Sequence, residues 1–535
     1  MADDDDKKPA LDSGTAQARY TSLISDRSSY LTRAYDCAEV TIPSILPRQG
    51  HTGATPLLTP WQSVGARCVN NLSSKLLVTA LPPNQSCFRL RIDEILVKEM
   101  MGTDSGKNMK TDLDSGLGVI EKAVTTEIEV CGDRVTAFEA FKHLLVTGNI
   151  LLHDSNDGLR AYHLNNYVTR RDPAGNALEM IAFERIDPDV LPANIRAHVE
   201  AEGEASARDG VHAPVDLYTR VQRTDTGWNI TQEVCGKVIP QTVGTYALDK
   251  CPWIPLRFTK IDGENYGRSY VEEYLGDFRT CEDLSQSLAE GAKAAAKLLL
   301  LVKPNGTTRL KTIQDAKNGD IGSGNAEDVT VVQANKFADF QTAEKRLEVI
   351  EQRLEMAFLL NTAVQRNGDR VTAEEIRFMA QELEATLGGF YTILAKEFQL
   401  PYVKSKMARM QKKNRLPALP EGIVRPSIVT GMDALGRSMD GQNLKGFFAD
   451  MLESFGPEVT AQYINVAEGA KRLATARSID TDGLVNTQEA VQAQQQQAQQ
   501  QEMATKLGPQ AISAGGKLAG EVMKHGQGSG NSGGS

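Results

Sequence analysis

Between Tyr266 and Pro401, two long helical patterns bracket a short polar insert, and a compact basic loop then leads into a third helical pattern. Two sets of positions recur every seven residues: Val271, Phe278, Ser285, Ala292 and Leu299, and Tyr274, Cys281, Leu288, Ala295 and Val302. All but Ser285 are apolar or small. This predicts one packed helix over 269–303, opened by a capping box at Ser269 and Glu272 and ended by Pro304. At 1.5 Å per residue such a helix is roughly 50 Å long, more than a small domain is wide. Ala-rich positions around 289–296 predict close approach of another helix. A second helix, with Leu347, Ile350, Leu354, Ala357 and Phe358 on one face, ends near Ala363. After the loop at 364–371, Thr372 caps a third helix with Glu375 in its first turn. Its stripe is Ile376, Ala380, Leu383, Leu387, Phe390 and Leu394. Gly388 and Gly389 should kink that helix, and Pro401 should close it. No enzyme needs this layout for its chemistry, whereas a tube built from many copies of one chain does: long helices make the wall and loops project into the bore.

The remaining chain reads as helix first and strand later. Residues 15–40 are helical in pattern. Thr59, Pro60 and Gln62 predict the start of a helix carrying Val64, Val69, Leu72 and Leu76. Further helical patterns lie near 93–101, 117–129 and 135–147. Between 160 and 260 the texture changes. Residues 162–170 and 178–185 flank Asp172-Pro-Ala-Gly-Asn, and 215–222 and 228–234 flank Asp225-Thr-Gly, which predicts two hairpins. One further strand is expected at 329–332. Residues 430–480 are moderately helical, and a glutamine-rich run at 488–501 either extends a helix or is disordered. The Gly/Ser-rich end from about 515 is expected to be mobile. The fold class is therefore α+β, predominantly α-helical, and 535 residues suggest two to four domains.

Composition excludes several classes. The longest aliphatic run, Leu298 to Val302, is far short of the roughly 20 residues that cross a bilayer, so no membrane span is expected. The acidic start Met1-Ala-Asp-Asp-Asp-Asp-Lys-Lys has no apolar core and is not a secretory signal. It reads as either a protease tag or a native acidic tail. Seven scattered cysteines without a C-x-x-C pair read as reduced, buried thiols. A net charge of −10 argues against a protein that wraps nucleic acid tightly, because such binders neutralise phosphates with an excess of Lys and Arg. An acidic body carrying local basic rings suits something DNA passes through.

Catalytic signatures are missing. Gly102-Thr-Asp-Ser-Gly106-Lys107-Asn108 has one residue too few between its glycines for a phosphate-cradling loop, and Asn where a Mg²⁺-binding hydroxyl belongs. Gly436-Arg-Ser438-Met-Asp440 lacks the closing glycine of a nucleophile elbow. The seven histidines show no metal-ligand spacing, and His143 reads as structural. An ATP-dependent or nucleolytic DNA enzyme and a scaffold or filament built on the heptads alone are the competing classes. The first needs a nucleotide or metal site.

Three stretches resemble a known family. They are Thr59-Pro-Trp-Gln-Ser-Val-Gly-Ala-Arg67 with Asn70-Asn71-Leu72, Tyr266-Gly-Arg-Ser-Tyr-Val-Glu-Glu-Tyr-Leu-Gly-Asp277, and Ala363-Val-Gln-Arg366 through Arg370-Val-Thr-Ala-Glu-Glu-Ile-Arg377 with Leu387-Gly-Gly389. They look like the portal proteins, or head-to-tail connectors, of short-tailed phages of the autographivirus (podovirus) type. The similarity runs over about 1–480. The resemblance implies a ring of twelve subunits at one capsid vertex through which double-stranded DNA is packaged and ejected, with no cofactor and no membrane. It implies a wing from 1–268 and 372–425, a stem from 269–303 and 340–363, and a clip at 304–339. It further implies a tunnel loop at 364–371, a crown at 426–505 and a flexible tail at 506–535. The implied partners are the terminase large subunit and then a tail adaptor at the clip, scaffold and major capsid protein during assembly, and internal core proteins. The implied location is the virion portal vertex, with host cytoplasm during assembly.

In that frame the loop residues Gln365, Arg366, Asn367 and Arg370 face the DNA channel. Gly368 gives the turn its positive-φ position. Symmetry turns each arginine into a ring of charge that touches phosphates without reading sequence. Alternatively both arginines pair with Asp369, Glu374 or Glu375 and only brace the loop. The run Lys404, Lys406, Arg409, Lys412, Lys413 and Arg415 is either a solvated or subunit-bridging face or a second set of DNA contacts. The insert's Lys311, Lys317, Asp320, Glu327 and Asp328 offer mixed charge for terminase or adaptor docking.

Overall fold

A computed structural model describes residues 14–83, 86–92, 106–201, 213–295, 299–315, 317, 320, 321, 323–332, 337–360, 389–417, 424–428 and 436–464, with positions 469, 470 and 473. The chain divides into two units, Met1–Ala434 and Leu435–Ser535.

In the first unit, helix α1 (Ala16–Glu39) starts where Thr15 Oγ1 accepts the Ala18 N–H at 3.2 Å. It buries Tyr20, Leu23, Arg27, Leu31, Ala34 and Cys37, one residue per turn along a single stripe. Arg27 is tolerated there because its Nη1 donates to Tyr20 Oη and to the carbonyls of Asn165 and Tyr167, at 3.1, 2.9 and 2.8 Å. Helix α2 (Val64–Ala80) carries Val64, Val69, Leu72 and Leu76 inward. Its start differs from the expected capping box. Thr59 plays no part: Gln62 Oε1 accepts the Gly65 N–H at 2.8 Å while its Nε2 donates to Val40 O at 2.7 Å. A side chain two residues before the helix thus serves both the helix end and the chain crossing it.

Three sheets follow. Strand β1 (Phe88–Ile92) pairs with a late strand at Val424–Ile428. After helices α3 (Gly106–Val130) and α4 (Asp133–Thr147), β2 (Asn149–Ser155) sits between β3 (Gly158–Tyr162) and Trp253–Arg257. Both predicted hairpins form. Strands Tyr167–Arg171 and Ala177–Ile186 make the first, and Val215–Arg223 and Gly227–Val234 the second, all within one antiparallel six-stranded sheet. The turn of the first is tied by Asp172, whose Oδ1 accepts the Asn176 N–H at 2.7 Å. Gly148, at φ 73°, lets the chain turn from α4 into β2 hard against 268–269, where a Cβ would lie 2.6 Å from the Arg268 carbonyl carbon.

The helical hairpin opens as predicted, with Ser269 Oγ accepting the Glu272 N–H at 2.9 Å. After α5 (Ala193–Ala201), the short helix α6 (Tyr270–Glu273) precedes α7 (Leu275–Ala295), which packs antiparallel on α9 (Phe337–Ala357), with α8 (Leu310–Asp315) in the insert between them. Arg353 reaches Asp277 near one end at 3.1 Å, and Gly291 gives Phe340 its space near the other. Phe278, Cys281, Ile350, Leu354 and Phe358 are buried, whereas Ala292 and Ala295 are exposed on the single chain. The 35-residue helix does not form. It stops at Ala295, and Leu299–Val302 is a strand antiparallel to Val329–Val332. The four aliphatic residues before Pro304 satisfy heptad and strand alike, and an equally aliphatic partner run decides for the strand.

Pro401 does not close a helix either. Helix α10 (Phe390–Leu394) runs into a π-turn at Ala395–Gln399, and α11 (Leu400–Lys412) continues with Pro401 in its first turn. The Leu400 N–H reaches back five residues to Ala395 O, so the chain proceeds past a residue that has no N–H to offer. Thr372 and the stripe from Ile376 to Leu387 lie outside the described residues, as do 93–101 and the glutamine-rich run. Among the described residues no helix is long and apolar enough to cross a membrane. In the second unit, Gly436–Tyr463 is two helices meeting at Gly456, φ 77°, before Pro457.

Helix α11 is joined to the N-terminal body by ions. Lys406 has no exposed side-chain surface and lies between Asp133 Oδ2 and Asp154 Oδ1, the latter at 3.3 Å. Arg409 meets Asp154 at 2.7 Å, Ser405 Oγ donates to Asp154 Oδ2 at 2.9 Å, and Tyr402 Oη donates to Asp133 Oδ2 at 2.5 Å. Asp133 Oδ1 also accepts the Leu159 N–H at 2.8 Å. Removing one member leaves a buried charge uncompensated. Lys406→Met is therefore expected to lower stability by about 3–5 kcal/mol in chemical denaturation, and an unchanged midpoint would refute the role assigned to this cluster.

Candidate functional site

The loop residues Gln365, Arg366, Asn367 and Arg370 lie outside the described residues, but the root from which the loop departs is well defined. Helix α9 ends at an aromatic cluster in which the Phe358 ring lies 5.0 Å from Tyr270, 5.7 Å from Tyr274 and 5.6 Å from Phe278. Leu359 then adopts φ 56°, with its N–H on Met356 O and the Leu360 N–H on Glu355 O at 2.8 Å. That is the Schellman closure usually built on glycine, and a leucine in this conformation costs roughly 1–2 kcal/mol.

Neighbouring elements hold it there. Asn71 Nδ2 donates to Phe358 O and Leu359 O, both at 3.0 Å, and Lys75 Nζ donates to Leu359 O at 2.8 Å. Tyr270 Oη donates to Ala357 O at 2.9 Å. The last carbonyls of α9 are thus satisfied by side chains from α2 and from the start of the hairpin rather than by solvent. The segment re-emerges at Phe390, whose ring stacks on Phe258 at 4.2 Å.

The insert between the two long helices is braced by one carboxylate. Asp328 Oδ2 accepts from the Thr307 N–H at 2.7 Å, the Thr307 hydroxyl at 3.0 Å and the Thr308 N–H at 3.1 Å. Desolvation alone would raise its pKa, but the donors of Thr308 and Thr307 outweigh this and hold it below the usual carboxylate value. Asp328 is 7% exposed and turned inward, which corrects its assignment to a docking surface. Asp320 Oδ2 accepts the Lys317 N–H at 2.7 Å, and Lys311, Lys317, Asp320 and Glu327 remain exposed.

The basic run does not form one face. Lys406 is fully buried in the cluster with Asp133 and Asp154, and Arg409 is largely buried beside it, so neither suits a DNA-contacting surface. Lys404 pairs with Asp249 at 3.4 Å and Arg415 with Glu127 at 2.9 Å, while Lys412 and Lys413 are exposed. Sequence reading missed this division because the acids lie on other elements. It also missed Asn71 and Lys75, whose only signal was polarity on an otherwise apolar helix.

Among the described residues no group of three or more His, Cys, Asp and Glu is placed to hold a metal. All seven cysteines are free, and burial pushes the thiols of Cys37, Cys68, Cys87 and Cys251 up to about 12 and that of Cys281 to about 11. His143 is driven down to about 3, first by burial and then by His163.

These features describe a long helical hairpin with a braced insert at one end and an anchored loop at the other. Residues 13–485 match the family described as bacteriophage head to tail connecting protein, and the chain belongs to that family. It is 40% identical over 503 residues to the portal protein of Escherichia phage T7, covering 92% of each chain. It is 40% identical to that of Enterobacteria phage T3, covering 91% of each, and 31% identical to that of Enterobacteria phage SP6, covering 89% of this chain and 91% of the relative. The neck of an empty gene transfer agent particle superposes with a TM-score of 0.34 at 10% identity, over 72% of this chain and 86% of that one, too loosely to bear on the fold.

Two outcomes are expected. Asn71→Leu should lower stability by about 1–3 kcal/mol and speed amide exchange at Leu360, because it strips a donor from two buried carbonyls; unchanged exchange there would dismiss the anchor. The thiolate is the reactive form, and each raised pKa keeps it scarce until pH climbs toward that value. Native protein at pH 8 should therefore show iodoacetamide labelling of Cys37, Cys68, Cys87, Cys251 and Cys281 at least about a hundredfold slower than a free thiol, as read by mass spectrometry of digests.

Proposed function

We propose that this chain assembles into a twelve-subunit ring at one capsid vertex and forms the channel for genome packaging and ejection, without catalysis of its own. The observation that carries the reading is 40% identity over 92% of the chain to proteins named portal protein. The helical hairpin serves as the stem, with its first long helix ending at Ala295. Residues 304–339 form the clip that meets the terminase large subunit and later the tail adaptor. Residues 1–268 and 372–425 make the wing, 426–505 the crown and 506–535 a flexible tail. Scaffold and major capsid protein guide assembly in the host cytoplasm, and the finished ring resides in the virion.

Arg366 and Arg370 are assigned to the bore, where a symmetric ring of guanidinium groups meets duplex phosphates without reading sequence. Contacts that conduct must also release, and the acidic body of the chain, −10 overall, tempers the attraction. The exposed Lys412 and Lys413 are the members of the basic run that suit a secondary contact. Lys311, Lys317, Asp320 and Glu327 suit a docking surface of mixed charge.

Native mass spectrometry of the purified chain tests the ring directly: a dodecamer is expected, and a stable monomer or dimer at micromolar concentration overturns the reading. Arg366→Ala combined with Arg370→Ala is expected to leave rings intact but to impair packaging, retention or ejection of DNA. Normal DNA content, particle yield and infectivity would instead leave these arginines as braces for the loop.

A further inference from the structure

A cavity of about 480 Å³ opens at the 172–176 turn of the first hairpin, and it is unusually cationic. Arg171, Arg223, Arg257, Lys260, Lys396 and Lys404 line it, against only two carboxylates, Asp249 and Glu397. Asp249 is engaged by Lys404 at 3.4 Å. Glu397 Oε1 accepts from Arg257 Nε at 3.1 Å and Nη2 at 2.9 Å.

Arg171, Lys260 and the second face of Arg257 are held by backbone carbonyls. Arg171 Nη1 and Arg257 Nη2 both donate to Gly175 O, at 3.0 and 3.1 Å, and Lys260 Nζ donates to Ala174 O at 2.8 Å. Carbonyl dipoles satisfy hydrogen bonds but do not neutralise charge. Burial, and next the nearby Arg257, brings the pKa of Arg171 down to about 10. The approach depends on Gly175, at φ 90°, where a Cβ would lie 2.6 Å from Arg257 Nη2 and 3.0 Å from Lys260 Nζ.

Two polar atoms are left over. Arg257 is 3% exposed, and its Nη1 is buried without an acceptor; Glu397 Oε2 is buried without a donor. A ligand that offers both an anionic oxygen and an O–H completes the set. We propose that this cavity binds a phosphate that keeps a free P–OH, either inorganic phosphate or a small phosphate monoester. An oxygen of the phosphate accepts from Arg257 Nη1, its O–H donates to Glu397 Oε2, and Lys260 adds charge at the mouth. A phosphodiester, which keeps no proton near neutral pH, lacks the second contact. Duplex DNA is therefore the wrong ligand, and the site is independent of any channel role.

Isothermal titration of the full-length chain at low ionic strength and pH 6.5 tests this. Inorganic phosphate is expected to bind with a dissociation constant below about 1 mM, and dimethyl phosphate at least about tenfold more weakly. Arg257→Gln should weaken phosphate binding by about tenfold or more, and the exposed Lys260→Gln, which leaves the fold undisturbed, by about threefold. A nucleoside monophosphate that binds more tightly than phosphate would identify the ligand as a carried monoester, and equal binding would identify phosphate itself. No binding at about 10 mM phosphate, equal binding of dimethyl phosphate, or an unchanged affinity in both variants overturns the proposal.

Discussion

The ionic cluster around Lys406 is the interaction on which the first unit turns. Asp133 opens α4, Asp154 sits on the strand after it, and Lys406 lies 273 residues from Asp133 on α11. A single ammonium between two carboxylates, completed by Tyr402, Ser405 and the largely buried Arg409, fixes a late helix to an early helix-strand unit with the ammonium and both carboxylates fully buried. Apolar residues of similar volume in place of the whole set carry no charge that has to be matched. Two aspartates that both need the same ammonium accept helix α11 in one register.

That registration matters because α11 follows the segment at 361–388. The chain leaves the body at Leu359, pinned by Asn71, Lys75 and Tyr270, and returns at Phe390 against Phe258. Both ends of the segment are thus fastened to elements of one unit: α2 at the departure, the three-stranded sheet and α4 at the return. The residues on either side of the segment are thereby held by side chains of other elements. The polar side chains of α2 and the buried ions of α11 supply that restraint. The strain of a leucine at φ 56° is tolerable only because three outside donors converge on the carbonyls beside it.

Much of this was legible in the sequence, and most of the misses share a cause. The stripe of α1, the cap at Ser269, both hairpins and the strand at Val329–Val332 follow from local periodicity and turn residues, and these formed where expected. The failures, Pro401 apart, involve a partner remote in sequence. Leu299–Val302 is a strand because 329–332 is there to pair with it. Pro401 is passed because a π-turn precedes it. Lys406 is buried because two aspartates await it, and Asp328 turns inward because Thr307 and Thr308 offer donors. The candidate loop itself could be read only from its residues and its resemblance. Its anchor needed coordinates.

The long hairpin shows why a single chain is an incomplete account of the seam. At the loop end, Phe278, Cys281, Ile350, Leu354 and Phe358 form a true core shared with the body. Toward the insert the same heptad positions, Ala292 and Ala295, are exposed, as is Leu301, and Val349 and Met356 show large apolar surface farther along α9. Small residues repeated every seven positions contribute little to a two-helix contact, because alanine fills no hole. They favour close backbone approach by a further helix. A pair of helices whose seam fades to alanine where the body ends leaves surface there that its own chain does not cover. In a cyclic assembly each subunit turns two different faces to its two neighbours, so a stripe left open on one chain is of the kind that the other face of a second copy would cover.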